Sequence, residues 1–85
     1  MEGLRYERFE QNLLDHWVKR KESAKVGLKT TVVCLQMNNG FEVVGQSACM
    51  NPDEYDYELG VYYATKDALK RIADIVAYIE HEGTF

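Results

Sequence analysis

Thr30-Thr31-Val32-Val33-Cys34-Leu35-Gln36-Met37-Asn38-Asn39-Gly40-Phe41-Glu42-Val43-Val44-Gly45 decides the fold. Its first third is dense in β-branched residues, which favour a pleated, half-buried surface. Asn39-Gly40 follows, the dipeptide that best supplies the two positive φ angles of a type I′ turn. Phe41 to Gly45 then reads as a returning strand, so the stretch is a β-hairpin. With Asn39-Gly40 as the two turn residues, Leu35 faces Val44, Gln36 faces Val43 and Cys34 faces Gly45. Cys34 and Cys49 share a face in that register but lie four residues out of alignment. That offset exceeds the ~7 Å that two bridged Cα atoms allow. Both cysteines are expected to be reduced, buried and structural.

On the N-terminal side, Tyr6, Phe9, Leu13 and Trp17 recur at steps of three and four, and Leu14 and Val18 widen the stripe. This periodicity predicts an amphipathic helix from about Leu4 to Ala24. Lys19-Arg20-Lys21 would complement its negative end, and Gly27 would stop it. On the C-terminal side, Asn51-Pro52-Asp53-Glu54 combines a cap, a proline and an acidic first turn, and Asp56 offers a second cap. A long helix follows from about Tyr57 to Glu80, ending near Gly83. Its apolar stripe is Val61, Ala64, Ala68, Ile72, Ile75 and Ile79. Gly60, Ala64 and Ala68 form a line of small residues that lets the helix backbone approach a sheet. The expected fold class is α+β: an N-terminal amphipathic helix, a β-hairpin, and a long C-terminal helix packed on the hairpin.

The chain of 85 residues makes a single small domain, residues 1–85, by the prior of roughly 100–200 residues per domain. A core this size supplies only about 3–5 kcal/mol, so a homo-oligomer is an expected way to gain burial. No apolar run approaches the ~18 residues of a membrane span, and the N-terminus has no apolar signal core. A net charge of −4 argues against direct nucleic-acid binding, which needs cations to displace counterions.

No constellation of catalytic grade is visible, and no metal or cofactor is expected. His16 and His81 have nothing in their spacing to bring them together. Ser23 and Ser47 lack the context of an activated nucleophile. A thiol on a strand packed by valines is hidden, and its pKa is raised. The reading is therefore not an enzyme.

Two surface features remain. Asp53, Glu54, Asp56 and Glu58 interleave with Tyr55 and Tyr57, and Tyr62 and Tyr63 follow. Tyrosine gives large contact area at low entropic cost, and the acids would speed encounter with a basic protein. These eight residues are the candidate protein-binding site, against the plainer reading of a dipole-favoured helix start with tyrosines packed on the hairpin. Lys19, Arg20, Lys21, Lys25 and Lys29 are a possible anion-binding cluster, or simply a solvated helix end.

The central segment also resembles a known family. Thr31 to Leu35, Asn39 to Cys49 and Asn51-Pro52, then Asp56, Glu58, Gly60, Ala64 and Ala68, look like a family of small tailed-bacteriophage proteins. It is typified by the gene 49 product of phage N-four and the gene 66 product of phage Sf-six. The resemblance covers about residues 28–75. It leaves the N-terminal helix outside, and Ile72 and Ala73 stand where the family's late tryptophan is expected. It implies phage origin, action in the host bacterial cytoplasm and an accessory role, and it supplies no catalytic residues.

Together these point to a non-enzymatic phage accessory protein that binds and inhibits a host bacterial protein, such as a defence or regulatory factor. One alternative is an oligomeric sponge that sequesters a nucleotide ligand, with cations on the phosphates and tyrosines on the bases. Another is a minor phage assembly protein.

Overall fold

Asn38 settles where the first helix stops. The computed structural model describes residues 6–82. Helix α1 spans Arg8–Trp17, and the Glu10 carboxylate accepts the Glu7 backbone N–H at 3.4 Å. At its far end the Asn38 backbone N–H donates to the Trp17 carbonyl at 2.9 Å. The Asn38 side-chain amide donates to the His16 carbonyl at 2.7 Å. These are carbonyls that a helix end leaves open. Val18 is already extended, at φ −108° and ψ 123°, and the chain enters strand β1, Val18–Val26, without a loop.

The expected helix to Ala24 is thus corrected: Lys19 to Ala24 are strand. Lysine, arginine, glutamate and alanine suit a helix locally, but pairing with the strand that follows the Gly27 turn prevails. Gly27, at φ +70°, turns β1 into the next strand rather than capping a helix. The expected start at Leu4 lies outside the described residues.

Strands β2, Thr30–Met37, and β3, Glu42–Ala48, complete a three-stranded antiparallel sheet in the order β1-β2-β3, one strand more than the expected hairpin. The β2–β3 turn also differs. Gly40 alone has positive φ, at +90°, and its N–H donates to the Met37 carbonyl at 2.9 Å. The Met37 N–H donates to the Phe41 carbonyl at 2.7 Å. This is a three-residue loop, a type I turn followed by a bulge glycine, instead of the two-residue type I′ turn. Leu35 therefore faces Val43, and Cys34 faces Val44. The register has slipped by one residue, which turns each side chain to the other face. Val43 is 5% exposed and Val44 54%. Cys34 and Cys49 consequently lie on opposite faces, and both are free and only partly buried.

A 3₁₀ turn, Pro52–Glu54, leads into helix α2, Tyr57–Glu82. The expected α2 stop near Gly83 falls outside the described residues. α2 crosses β2 and β3 on one side of the sheet. There Thr31, Val33, Leu35, Met37 and Val43 are buried against Ala64, Thr65, Ala68, Leu69, Ile72 and Val76, and Leu13 of α1 joins the same core. The expected stripe is correct at Ala64, Ala68 and Ile72, while Val61, Ile75 and Ile79 are half-buried.

The small-residue line does bring the backbones together. A Cβ built on Gly45 would collide with the Ala64 carbonyl oxygen and the Ala68 nitrogen, and one on Gly60 with the Thr31 hydroxyl. Polar ties flank this contact. Lys66 meets Glu10 at 2.6 Å, joining the two helices. The Asp67 carboxylate accepts the Gln46 N–H at 3.0 Å and pairs with Arg71 at 2.8 Å. The molecule is the expected α+β layer, with both helices on one face of the sheet.

Candidate protein-binding site

Asn51 begins the site. Its side-chain oxygen accepts the Asp53 N–H at 3.0 Å, and Asp56 accepts the Leu59 N–H at 3.2 Å, so both expected caps form. They present Asp53, Glu54, Asp56 and Glu58 to solvent around the first turn of α2. Among the described residues none of these four carboxylates is ion-paired. An unpaired acidic cluster at a helix start is stabilised by the dipole and remains available to a cation.

The tyrosines divide into two groups. The Tyr55 hydroxyl bonds Thr31 Oγ1 at 2.6 Å, and the Tyr57 hydroxyl bonds Ser23 Oγ at 2.7 Å. Tyr62 stacks on Tyr6 with centroids 5.1 Å apart and meets Tyr63 edge-on at 5.1 Å. Tyr55, Tyr57 and Tyr62 thus hold the start of α2 to the sheet and to the chain before α1. Of these four, Tyr63, 55% exposed, is the most open to a partner.

Between the start of α2 and the end of the sheet lies a cavity of about 280 Å³. Tyr55, Leu59 and Tyr63 form one wall, and Thr31, Ala48 and Cys49 the other. Glu54 and Asp56 stand at its edge with Lys29, whose ammonium donates to the Met50 carbonyl at 3.3 Å. Its lining is mainly apolar, and its rim carries charge. The sequence reading missed Leu59, Ala48 and Cys49. Tyr55, Leu59 and Tyr63 recur at steps of four, which is the signal that would have found Leu59.

The five cations do not converge. Lys19 sits at an irregularity between Val18 and Arg20 in β1. Arg20 points away from the helices and pairs with Glu22 at 3.5 Å. Lys21 lies 5.9 Å from the centre of the Tyr6 ring, Lys25 lies 4.8 Å from that of Tyr55, and Lys29 belongs to the cavity rim. Four of them line the edge strand β1 and Lys29 sits in the turn after it, rather than at a helix end, which corrects their expected setting.

The nucleophile candidates are engaged elsewhere. Ser47 donates to the Gly60 carbonyl at 2.7 Å, and Cys49 to that of Asn51 at 3.2 Å. Burial pushes the Cys34 thiol up, with Glu42 and Glu22 adding to the effect, so it stays protonated at neutral pH. Among the described residues no group of three or more histidine, cysteine, aspartate or glutamate side chains is arranged to hold a metal. No helix among them is long and apolar enough to cross a membrane.

The family described as phage protein (N4 Gp49/phage Sf6 gene 66) matches residues 6–82. That match reaches beyond the central segment and takes in α1 and β1. No curated protein and no solved structure matches the chain.

Proposed function

Because the chain belongs to the N4 Gp49/phage Sf6 gene 66 family of phage proteins, we propose that it is an accessory protein that binds and inhibits a host factor in the infected cytoplasm. The observation behind this reading is the apolar cavity rimmed by Glu54 and Asp56, with the Lys29 ammonium at the same edge turned onto the Met50 carbonyl. Binding energy concentrates where one large side chain fills a desolvated pocket. Here the walls suit the stem of a lysine or arginine, and the rim carboxylates suit its charged tip. Asp53 and Glu58 extend the negative field around that anchor point and steer a basic surface toward it. The chain itself performs no chemistry in this role; it occupies the host factor.

Reversing Asp53, Glu54, Asp56 and Glu58 to lysine is expected to weaken capture of the host protein by more than about tenfold. Quantitative pull-down from infected-host lysate, followed by titration of the recovered partner, reads the effect. Capture equal to that of the unaltered protein would refute the proposal. The nucleotide-sponge reading has less behind it, since four of its cations are spread along β1 and the fifth, Lys29, lies in the turn after it. An assembly role has no observation that favours it.

A further inference from the structure

The two edges of the sheet differ. On β3 the Gln46 N–H reaches outward to the Asp67 carboxylate at 3.0 Å. On β1, among the described residues, nothing beyond the ladder to β2 bonds the backbone from Arg20 to Val26, where the register runs unbroken. The same Gln46 bond shows which groups are open. Val32 stands opposite Gln46 and turns its backbone the other way, toward Ala24 of β1. Bonded residues alternate along an antiparallel strand, so Lys21, Ser23 and Lys25 turn their N–H and C=O groups outward.

These three residues also share a side-chain face. They stand opposite the buried Leu35, Val33 and Thr31, on the side of the helices. The Lys21 ammonium lies 5.9 Å from the centre of the Tyr6 ring and that of Lys25 4.8 Å from that of Tyr55. Neither has a carboxylate within ion-pair reach among the described residues. Glu22, the one acid of β1, is on the bare face and pairs with Arg20 at 3.5 Å.

We infer that the β1 edge takes up an extended segment of a partner protein as a fourth, antiparallel strand, with acidic side chains four residues apart opposite Lys21 and Lys25. The backbone rows supply the hydrogen bonds and the two lysines the selectivity. Residues between the acids fall beside Glu22 and Ala24 on the bare face, where uncharged groups fit. Lysines on an edge ordinarily turn away strands of like charge. A second copy is refused on that ground: pairing centred on Ser23 sets Lys21 against Lys25 twice, and pairing centred on Glu22 sets that acid against itself. Nucleic acid is disfavoured because the outward carbonyls repel phosphates. The net charge of −4 does not forbid an acidic segment, since fields fade over about 8 Å at physiological ionic strength. The inference stands whether or not the cavity holds a basic side chain.

The probe is a nine-residue peptide of alternating threonine and valine with glutamate at its third and seventh positions. It is titrated into the isotope-labelled full chain and followed by NMR. Binding with a Kd on the order of 100 µM is expected, with slowed amide exchange at Lys21, Ser23 and Lys25. Lys21→Glu combined with Lys25→Glu, both at exposed positions, is expected to weaken binding about tenfold with an unchanged melting curve. A peptide with lysine in place of both glutamates is expected to bind that variant instead. N-methylation of the central threonine, which removes a donor facing Ser23, is expected to abolish binding. No binding at about 2 mM peptide would overturn the inference. So would equal affinity for the N-methylated peptide, or tighter binding of an RNA oligomer at the same amides.

Discussion

A methyl group at position 45 has no space. The Ala64 carbonyl and the Ala68 nitrogen already occupy it, and both are backbone atoms of a helix that cannot yield locally. Gly45→Ala is therefore expected to cost about 3 kcal/mol, measurable by urea denaturation. The line Gly60, Ala64, Ala68 announced a close approach in the sequence. Its counterpart on the sheet was not legible, because that depends on register. Asp67 gives a second residue-scale test. Hydrogen bonds from the Gln46 N–H and from Arg71 hold its carboxyl below the usual carboxylate range, against the opposing effect of burial. A group depressed in the folded state contributes stability above its unfolded value, near 3.8, and loses it as pH falls through the folded value. Asp67→Asn is expected to cost about 1–2 kcal/mol at pH 7, shrinking toward zero near about pH 2. A deficit that stayed constant across that range would show the carboxylate charge to be irrelevant.

Elements were legible where their signals are local. The caps at Asn51 and Asp56 and the span of α2 could be read because each depends on residues within a turn or two. β1 could not. Its nine residues show no alternation, and eight of them are exposed. What makes it a strand is β2, and what stops α1 before it is Asn38, some twenty residues away in sequence. The hairpin turn was read from Asn39-Gly40, yet Asn38 gives its backbone and side chain to the end of α1, and the loop takes three residues instead of two. Asn38→Ala removes the side-chain bond to His16 and is expected to cost about 1–2 kcal/mol. Trp17 fluorescence during urea denaturation would follow that loss at the helix end.

At the scale of the molecule, one face of the sheet carries the core, and its central strand has neighbours on both sides. Native-state hydrogen exchange is expected to be slowest in β2, at Val33 and Leu35, and fastest among the strands in β1. Equal protection in β1 and β2 would contradict this layering. The candidate site follows the same division between local and distant signals. The acids and tyrosines around Asp56 were evident from composition. The cavity beside them was not, because its other wall comes from Ala48 and Cys49 at the far end of the sheet.

The joint at Trp17 and Val18 carries a consequence for how chains of this design can change length. A helix that runs into a strand with no spacer has fixed phase on both sides. One inserted residue there would swing the α1 stripe by about 100° or invert β1, uncoupling Leu13 from the core in either case. Insertions and deletions should instead collect at the Gly27–Lys29 turn and around exposed Met50. Lys29 of that turn also stands at the cavity rim, so a tag or label inserted there is expected to disturb the candidate site as well.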